Sequence, residues 1–256
     1  MLWYKSWLET RWRFLIGLGV LILSVSGTVL AYPRVEKLLP LLPALDASGE
    51  VGRRLKQIAE LSRSYGGYIW AQWLRQNMAQ MLSFFAVLLG SGGLVSQAAR
   101  GHGGLFTLSL PVSRERLIGV RAATGLAELL GLAVIPMLML PLLSPAVGHR
   151  YAIGDVLVYA TCAFVAATVF FSLATWLSTI FDDVTRPILV ACAVAAGVLI
   201  VEPFLGERSR YGLLGTMSGE VYFRGGGLPW LGLLASAAVS AALLFAASRN
   251  LARQDF

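Results

Sequence analysis

Long apolar runs, none carrying more than two charges, leave this chain few folds to adopt. The first, 14–31, holds eighteen uncharged residues, just enough for a helix to cross a hydrocarbon core of about 30 Å. Comparable runs follow at about 76–98, 118–143, 156–181, 187–203 and 228–247. Hydrophobic residues make up 57 % of the chain and charged ones 14 %, with a mean hydropathy of +0.70, which is too apolar for a soluble domain of this length. The expectation is an all-α integral membrane protein with one transmembrane domain over 1–256 and six membrane-spanning helices. Six spans put both termini on the same side.

Charge sets the expected orientation. The formal net charge is +7, but the basic residues sit between and beside the apolar runs rather than along one polar face, which argues against nucleic acid as a partner. They read instead as topology-determining and headgroup-facing charge, with membrane lipids as the partner. Between the second and third runs lies GHGGLFTLSLPVSRERLIGVR, 101–121, with Arg100, Arg114, Arg116 and Arg121 in or beside it. Short basic loops are retained in the cytoplasm, so this one is placed there together with both termini. Over all segments the Lys and Arg count is ten inside against eleven outside. Without the long first outer segment it becomes ten against four, and the central loop decides the orientation.

The run LFTLSLPVSRERL, followed by an uncharged helix with one early Glu, resembles the first cytoplasmic loop of ABC-2 type transporter permeases. The resemblance covers most of the chain, and its most specific part is Leu105 to Leu117. It implies a coupling helix within a cytoplasmic loop at 99–117 that presses on a separate ATP-binding subunit. It also implies a re-entrant outer segment between spans five and six, and pairing with a second permease copy or a paralogue. ATP and Mg would then be held by the partner, with no cofactor on this chain. Arg100, Arg114 and Glu115 are the expected ATPase-coupling side chains, with Gly101 in the lever and Leu105, Phe106 and Leu108 as apolar anchors; anionic headgroups are the other reading of the arginines. The sequence departs from the family pattern where Gln97, His102 and Gly103-Gly104 replace an acidic residue and a Gly-Thr pair.

Around that loop the chain reads in order. Residues 1–13 place Lys5, Glu9 and Arg13 on one stripe and Trp3, Trp7 and Phe14 roughly opposite, the pattern of an interfacial amphipathic helix. The basic start and the ending Val29-Leu30-Ala31 mimic a secretory leader, but the apolar core is too long for one. Pro33, Pro40 and Pro43 argue against a continuous helix into the outer segment 32–67. Trp70 and Trp73 are expected at the membrane interface. The second outer segment, 204–227, mixes apolar residues with charges and glycines and is expected to fold back. Asp182 and Asp183 either cap the next helix or form a second cytoplasmic contact.

Few residues carry chemistry. Glu128 lies about two turns inside the third run, and an intramembrane carboxylate is a functional candidate by default. It serves transport or coupling, pairs with Arg121, or accepts a hydrogen bond from a neighbouring helix. Asn77 and Gln80, near Gln72, either face a substrate path or hold helices together. Cys162 and Cys192 lie in apolar runs and read as packing residues. No Walker A motif G-x-x-x-x-G-K-[ST] occurs, so ATP must be bound elsewhere. With His102 and His149 expected on opposite sides of the membrane, no catalytic set assembles, and the chain is not expected to be an enzyme. The function expected is the permease subunit of an ATP-driven exporter in the cell inner (cytoplasmic) membrane. The alternative is an ion-gradient-driven secondary transporter or channel.

Overall fold

Lipid offers no hydrogen-bond partner to a backbone amide, so apolar runs of this length must satisfy their own N–H and C=O groups. The computed structural model describes residues 2–38, 60–61, 63–91, 114–181, 183 and 185–253. About 89 % of these are helical, and no strand occurs among them. Helix α1 is Leu2–Leu38. Helix α2, Tyr65–Tyr68, a π-helical segment, Ile69–Met78, and helix α3, Ala79–Gly90, follow one another without a break. Helix α4 is Arg114–Leu143, followed by a 3₁₀ turn, Ser144–Val147; α5 is Ile153–Ser178 and α6 is Thr185–Val201. A 3₁₀ segment, Glu202–Tyr211, and two short helices, α7 at Leu213–Met217 and α8 at Glu220–Phe223, lead to α9, Trp230–Ala252. Five helices among the described residues are long and apolar enough to cross a membrane: α1, α4, α5, α6 with the start of its 3₁₀ extension, and α9.

Helix α1 departs from the sequence reading. Residues 2–13 do not form a separate interfacial helix, because their polar side chains find partners on α4 and the helix continues straight into its apolar part. Nor does the helix stop before Pro33. Proline removes one backbone donor, but Tyr32 packs edge-on to Tyr65 and at a tilt to Tyr68, with ring centroids 4.9 and 5.1 Å away, and these contacts hold the turn. Thr10, Gly17, Leu21, Val25, Val29 and Tyr32 form the buried stripe, a spacing of three, four or seven residues. Leu23 and Leu30 on other faces stay 75 % and 59 % exposed, an apolar surface suited to lipid rather than water.

Helix α5 is the centre of the bundle. Its Ala160, Ala163, Ala166, Ala167 and Ala174 are all buried, and small residues let helix backbones approach closely. Against it sit α3, α4, α7 and α9. Closest is Gly90 of α3, where any Cβ would run into the backbone carbonyl of Phe171. At one end of the bundle Glu9 meets Arg121 and Asn250 donates to the Thr179 carbonyl, so the starts of α1 and α4 and the ends of α5 and α9 lie together. Leu2 and Arg253 therefore share an end.

The opposite end is closed by the return segment after α6. Glu202 accepts hydrogen bonds from the backbone N–H groups of Leu214 and Gly215 at 3.0 and 2.9 Å, which folds the chain back on itself. Trp70 donates its indole N–H to the Ser218 carbonyl at 2.9 Å and stacks on Phe223 at 4.2 Å. The Tyr222 hydroxyl donates to Asp155 at 2.8 Å. Gly219, at φ +63°, lies against the Tyr159 ring, where both the backbone angle and the space require glycine. Trp70 and Trp73 are thus 2 % and 0 % exposed and belong to the protein core, not to an interfacial belt.

The Gly90 contact gives a paired test. Gly90→Ala must push α3 and α5 apart and is expected to destabilise the fold by about 1–3 kcal/mol, whereas Gly19→Ala, with no atom within 4 Å of the added carbon, should cost nothing and gain up to about 1 kcal/mol from the better helix propensity of alanine. Thermal unfolding of both variants in detergent checks this.

Candidate functional site

Two polar centres stand out in this apolar bundle, one at the Gly90 end of the continuous helical stretch 65–90 and one along its middle. The first joins α1, α3 and α4. Positions 121, 124 and 128 recur at helical spacing on one face of α4, and Glu9, Thr10 and Arg13 fall within one turn of α1. Arg121 pairs with Glu9 at 3.3 Å, and Thr10 donates its hydroxyl to Oε1 of Glu128. Arg13 donates to the Leu88 carbonyl at 2.7 Å, bringing in the end of α3. Thr10 and Glu128 are each only 4 % exposed. Of the structural alternatives for Glu128, the hydrogen bond from a neighbouring helix is the one formed, and Arg121 turns to Glu9 instead.

Its energetics separate this centre from a surface ion pair. Exposed pairs contribute about 0–1 kcal/mol, while removing one partner of a buried pair costs about 3–5 kcal/mol. With side chains 15 % and 23 % exposed, Arg121 and Glu9 fall between these limits. Glu128 is costlier to keep, because its Oε2 is buried without a hydrogen-bond partner among the described residues. Helix α4 carries that cost beside two arginines.

The second centre is a cleft of about 280 Å³ between the π-helical segment, the end of α6 and the return segment. Gln72, Gln76 and Gln80 line it, spaced four residues apart so that their amides share one helix face. Arg75 lies on the same wall, and Glu202, Ser209, Ser218 and Glu220 face it from the return segment. Leu61, Ala71, Leu199, Pro203 and Leu214 supply the apolar remainder. A ten-residue π-helix is rare, and such departures from α geometry concentrate at functional sites. This chain places its π segment where the polar wall is.

The expected site residues are distributed unevenly over these centres. Gln80 lines the cleft; Asn77, half-buried on the same segment, does not. Asp183 accepts from the Arg186 backbone N–H at 3.1 Å and pairs with its side chain at 3.3 Å, so it caps α6. Asp182 lies outside the described residues, as do Arg100, Gly101, Leu105, Phe106 and Leu108. Arg114 and Glu115 open α4, but their side chains are not described. His149 stacks on Tyr65 at 4.8 Å in an aromatic cluster at the far end. Burial there pushes the Tyr151 phenol far above its ordinary range, so it stays neutral. No group of three or more His, Cys, Asp or Glu among the described residues is arranged to hold a metal.

Sequence reasoning missed the π segment, the inward tryptophans and the roles of Glu9, Thr10, Glu202 and Glu220. One signal was present: complementary polar residues at helical spacing on two segments, Glu9-Thr10-Arg13 and Arg121-Thr124-Glu128. For the π segment no signal in the sequence announces the change of helical period.

Thr10→Val should destabilise the fold by about 1–3 kcal/mol, since it leaves the buried Glu128 carboxylate without its donor. Thr10→Ser, which keeps the hydroxyl, should recover most of that loss. Unfolding midpoints of the two variants and of Thr10→Val with Glu128→Leu, which removes both partners, provide the check, the double variant lying closer to wild type than Thr10→Val alone. Scanned against protein-family models and compared with curated proteins and solved structures, the chain gave no match.

Proposed function

We propose that this chain is the permease subunit of an ATP-driven transporter, contacting its partner through the coupling loop 99–117 and handling substrate toward the opposite end of the bundle. The observation that carries the reading is the continuity of 65–90. One helical stretch ends at Gly90, ahead of that loop in sequence, and carries the amide-lined cleft along its middle. Arg13, Glu9 and Thr10 tie the helices on both sides of the segment to α1, so α3 and α4 move as a pair. A push on the segment is then delivered lengthwise to the π-helical wall. In this reading 65–90 is a sixth span, the termini and 99–117 are cytoplasmic, and the return segment is the re-entrant outer element. ATP and Mg belong to a separate subunit, two permeases pair, and the direction is export.

The unpartnered Oε2 of Glu128 favours a second reading, an ion-gradient-driven transporter in which this carboxylate exchanges a proton or cation. The two readings make opposite demands on Glu128. Co-expressed with an ATP-binding subunit, the wild-type chain should form a stable complex with ATPase activity. Phe106→Asp with Arg114→Glu should abolish the complex while leaving membrane insertion intact, and Glu128→Gln should leave the complex in place. If no ATPase subunit is retained and Glu128→Gln abolishes gradient-driven uptake into proteoliposomes, the second reading replaces the first.

A further inference from the structure

The cleft carries more information than a pathway role alone, because its charges are not equally available. Glu202 directs its two oxygens at the backbone N–H groups of Leu214 and Gly215, and Glu220 is held by Arg224 at 2.6 Å. Glu202 is therefore hydrogen-bonded and Glu220 ion-paired within the return segment. Arg75 is different. It is exposed, its guanidinium lies 5.5 Å from the Trp70 ring centroid, and no ion pair to a described carboxylate holds it. Stacking on an aromatic face leaves the guanidinium edge, with its fork of donors, free to grip an anion. Gln72, Gln76 and Gln80 extend the same wall with amide donors and acceptors. Beyond the rim the surface is apolar: Ile200, Val201 and Phe204 are 65 %, 56 % and 84 % exposed next to the cleft residues Leu199 and Pro203.

From this arrangement we infer that the cleft binds an amphiphile with a single phosphate or carboxylate head, the anion on Arg75, its neighbouring polar groups on the glutamine row, and its tail along the exposed end of α6. A volume of about 280 Å³ admits such a headgroup but not a long chain, which must then leave through the open side onto the apolar surface. Both a membrane phospholipid and a free amphiphile offer this chemistry. The inference deepens the permease reading by naming its substrate class, yet it rests on the cleft and is testable without any ATPase.

The test uses the full chain in neutral-detergent micelles and native mass spectrometry, with phosphatidate, phosphatidylcholine, dodecyl phosphate and inorganic phosphate as separate probes. Phosphatidate or dodecyl phosphate, or both, should bind with one copy per chain, and whichever binds identifies the source as lipid or free amphiphile. Phosphatidylcholine and inorganic phosphate should bind at least about tenfold more weakly, since one lacks net charge and the other lacks a tail. Arg75→Ala should weaken the anionic amphiphile about tenfold or more, the scale of a lost charge-assisted hydrogen bond. Arg75→Lys should restore part of the binding, and Gln76→Leu with Gln80→Leu should weaken it less than Arg75→Ala. Unchanged unfolding midpoints establish that these exposed positions do not act through the fold. Equal binding of phosphatidylcholine, or no loss in Arg75→Ala, overturns the inference. If the ATPase complex forms but no anionic amphiphile binds, the permease reading stands and the cleft assignment fails. If the amphiphile binds in an Arg75-dependent way but no ATPase is retained, the reverse holds.

Discussion

The bonds from Glu9, Thr10 and Arg13 to α4 and α3 are the interactions on which the rest of this structure depends. In an apolar bundle, helix association has no strong hydrophobic drive, because lipid is as apolar as a leucine side chain. Polar side chains that would be costly in lipid become specific fasteners once they find each other. Arg121 with Glu9, Thr10 with Glu128 and Arg13 with the Leu88 carbonyl fasten three helices at one end. This fastening also explains why α1 runs unbroken from Leu2: its first turns have partners on α4 and need no interfacial refuge.

The other end is held by different means. Glu202 folds the return segment, Trp70 and Phe223 stack it onto the π segment, and Tyr222 ties it to Asp155. Packing at α5 then fixes the distance between the ends, with small residues and Gly90 allowing close backbone approach. The result is a bundle fastened at both ends, with the π-helical segment 69–78 lying beside the cleft. Such π-helical departures from α geometry are frequent at functional sites.

Much of the helix inventory was legible in the sequence, and the reasons are physical. Runs such as 14–31 and 156–181 have no alternative in lipid to a helix, and Asp183 with Arg186 reads as a helix start because capping chemistry is local. Longer-range features were hidden. The inward turn of Trp70 depends on Phe223 and Ser218, about 150 residues away in sequence, and interfacial enrichment of tryptophan pointed the other way. Pro33 promised a helix end that packing of Tyr32 overrides. At the candidate site, Glu128 and Gln80 stood out by polarity alone, whereas nothing marked out Glu202, because its partners, Leu214 and Gly215, appear only once the chain folds back. Of the residues expected to meet an ATPase, Arg100, Gly101, Leu105, Phe106 and Leu108 fall outside the described residues and Arg114 and Glu115 open α4, and the expectation rests on the resemblance.

The central claim is that a displacement at the fastened end reaches the cleft through 65–90. It is tested most directly by dipolar broadening between nitroxides at Gln76→Cys and Ser209→Cys, with Cys162 and Cys192 replaced by alanine, in a complex with the ATP-binding subunit proposed above. On ATP the separation of the labels should change, and in Glu9→Gln with Thr10→Val and Arg13→Leu the change should disappear while ATP binding persists. A separation that ignores ATP, or that changes equally in the unfastened variant, would contradict the account.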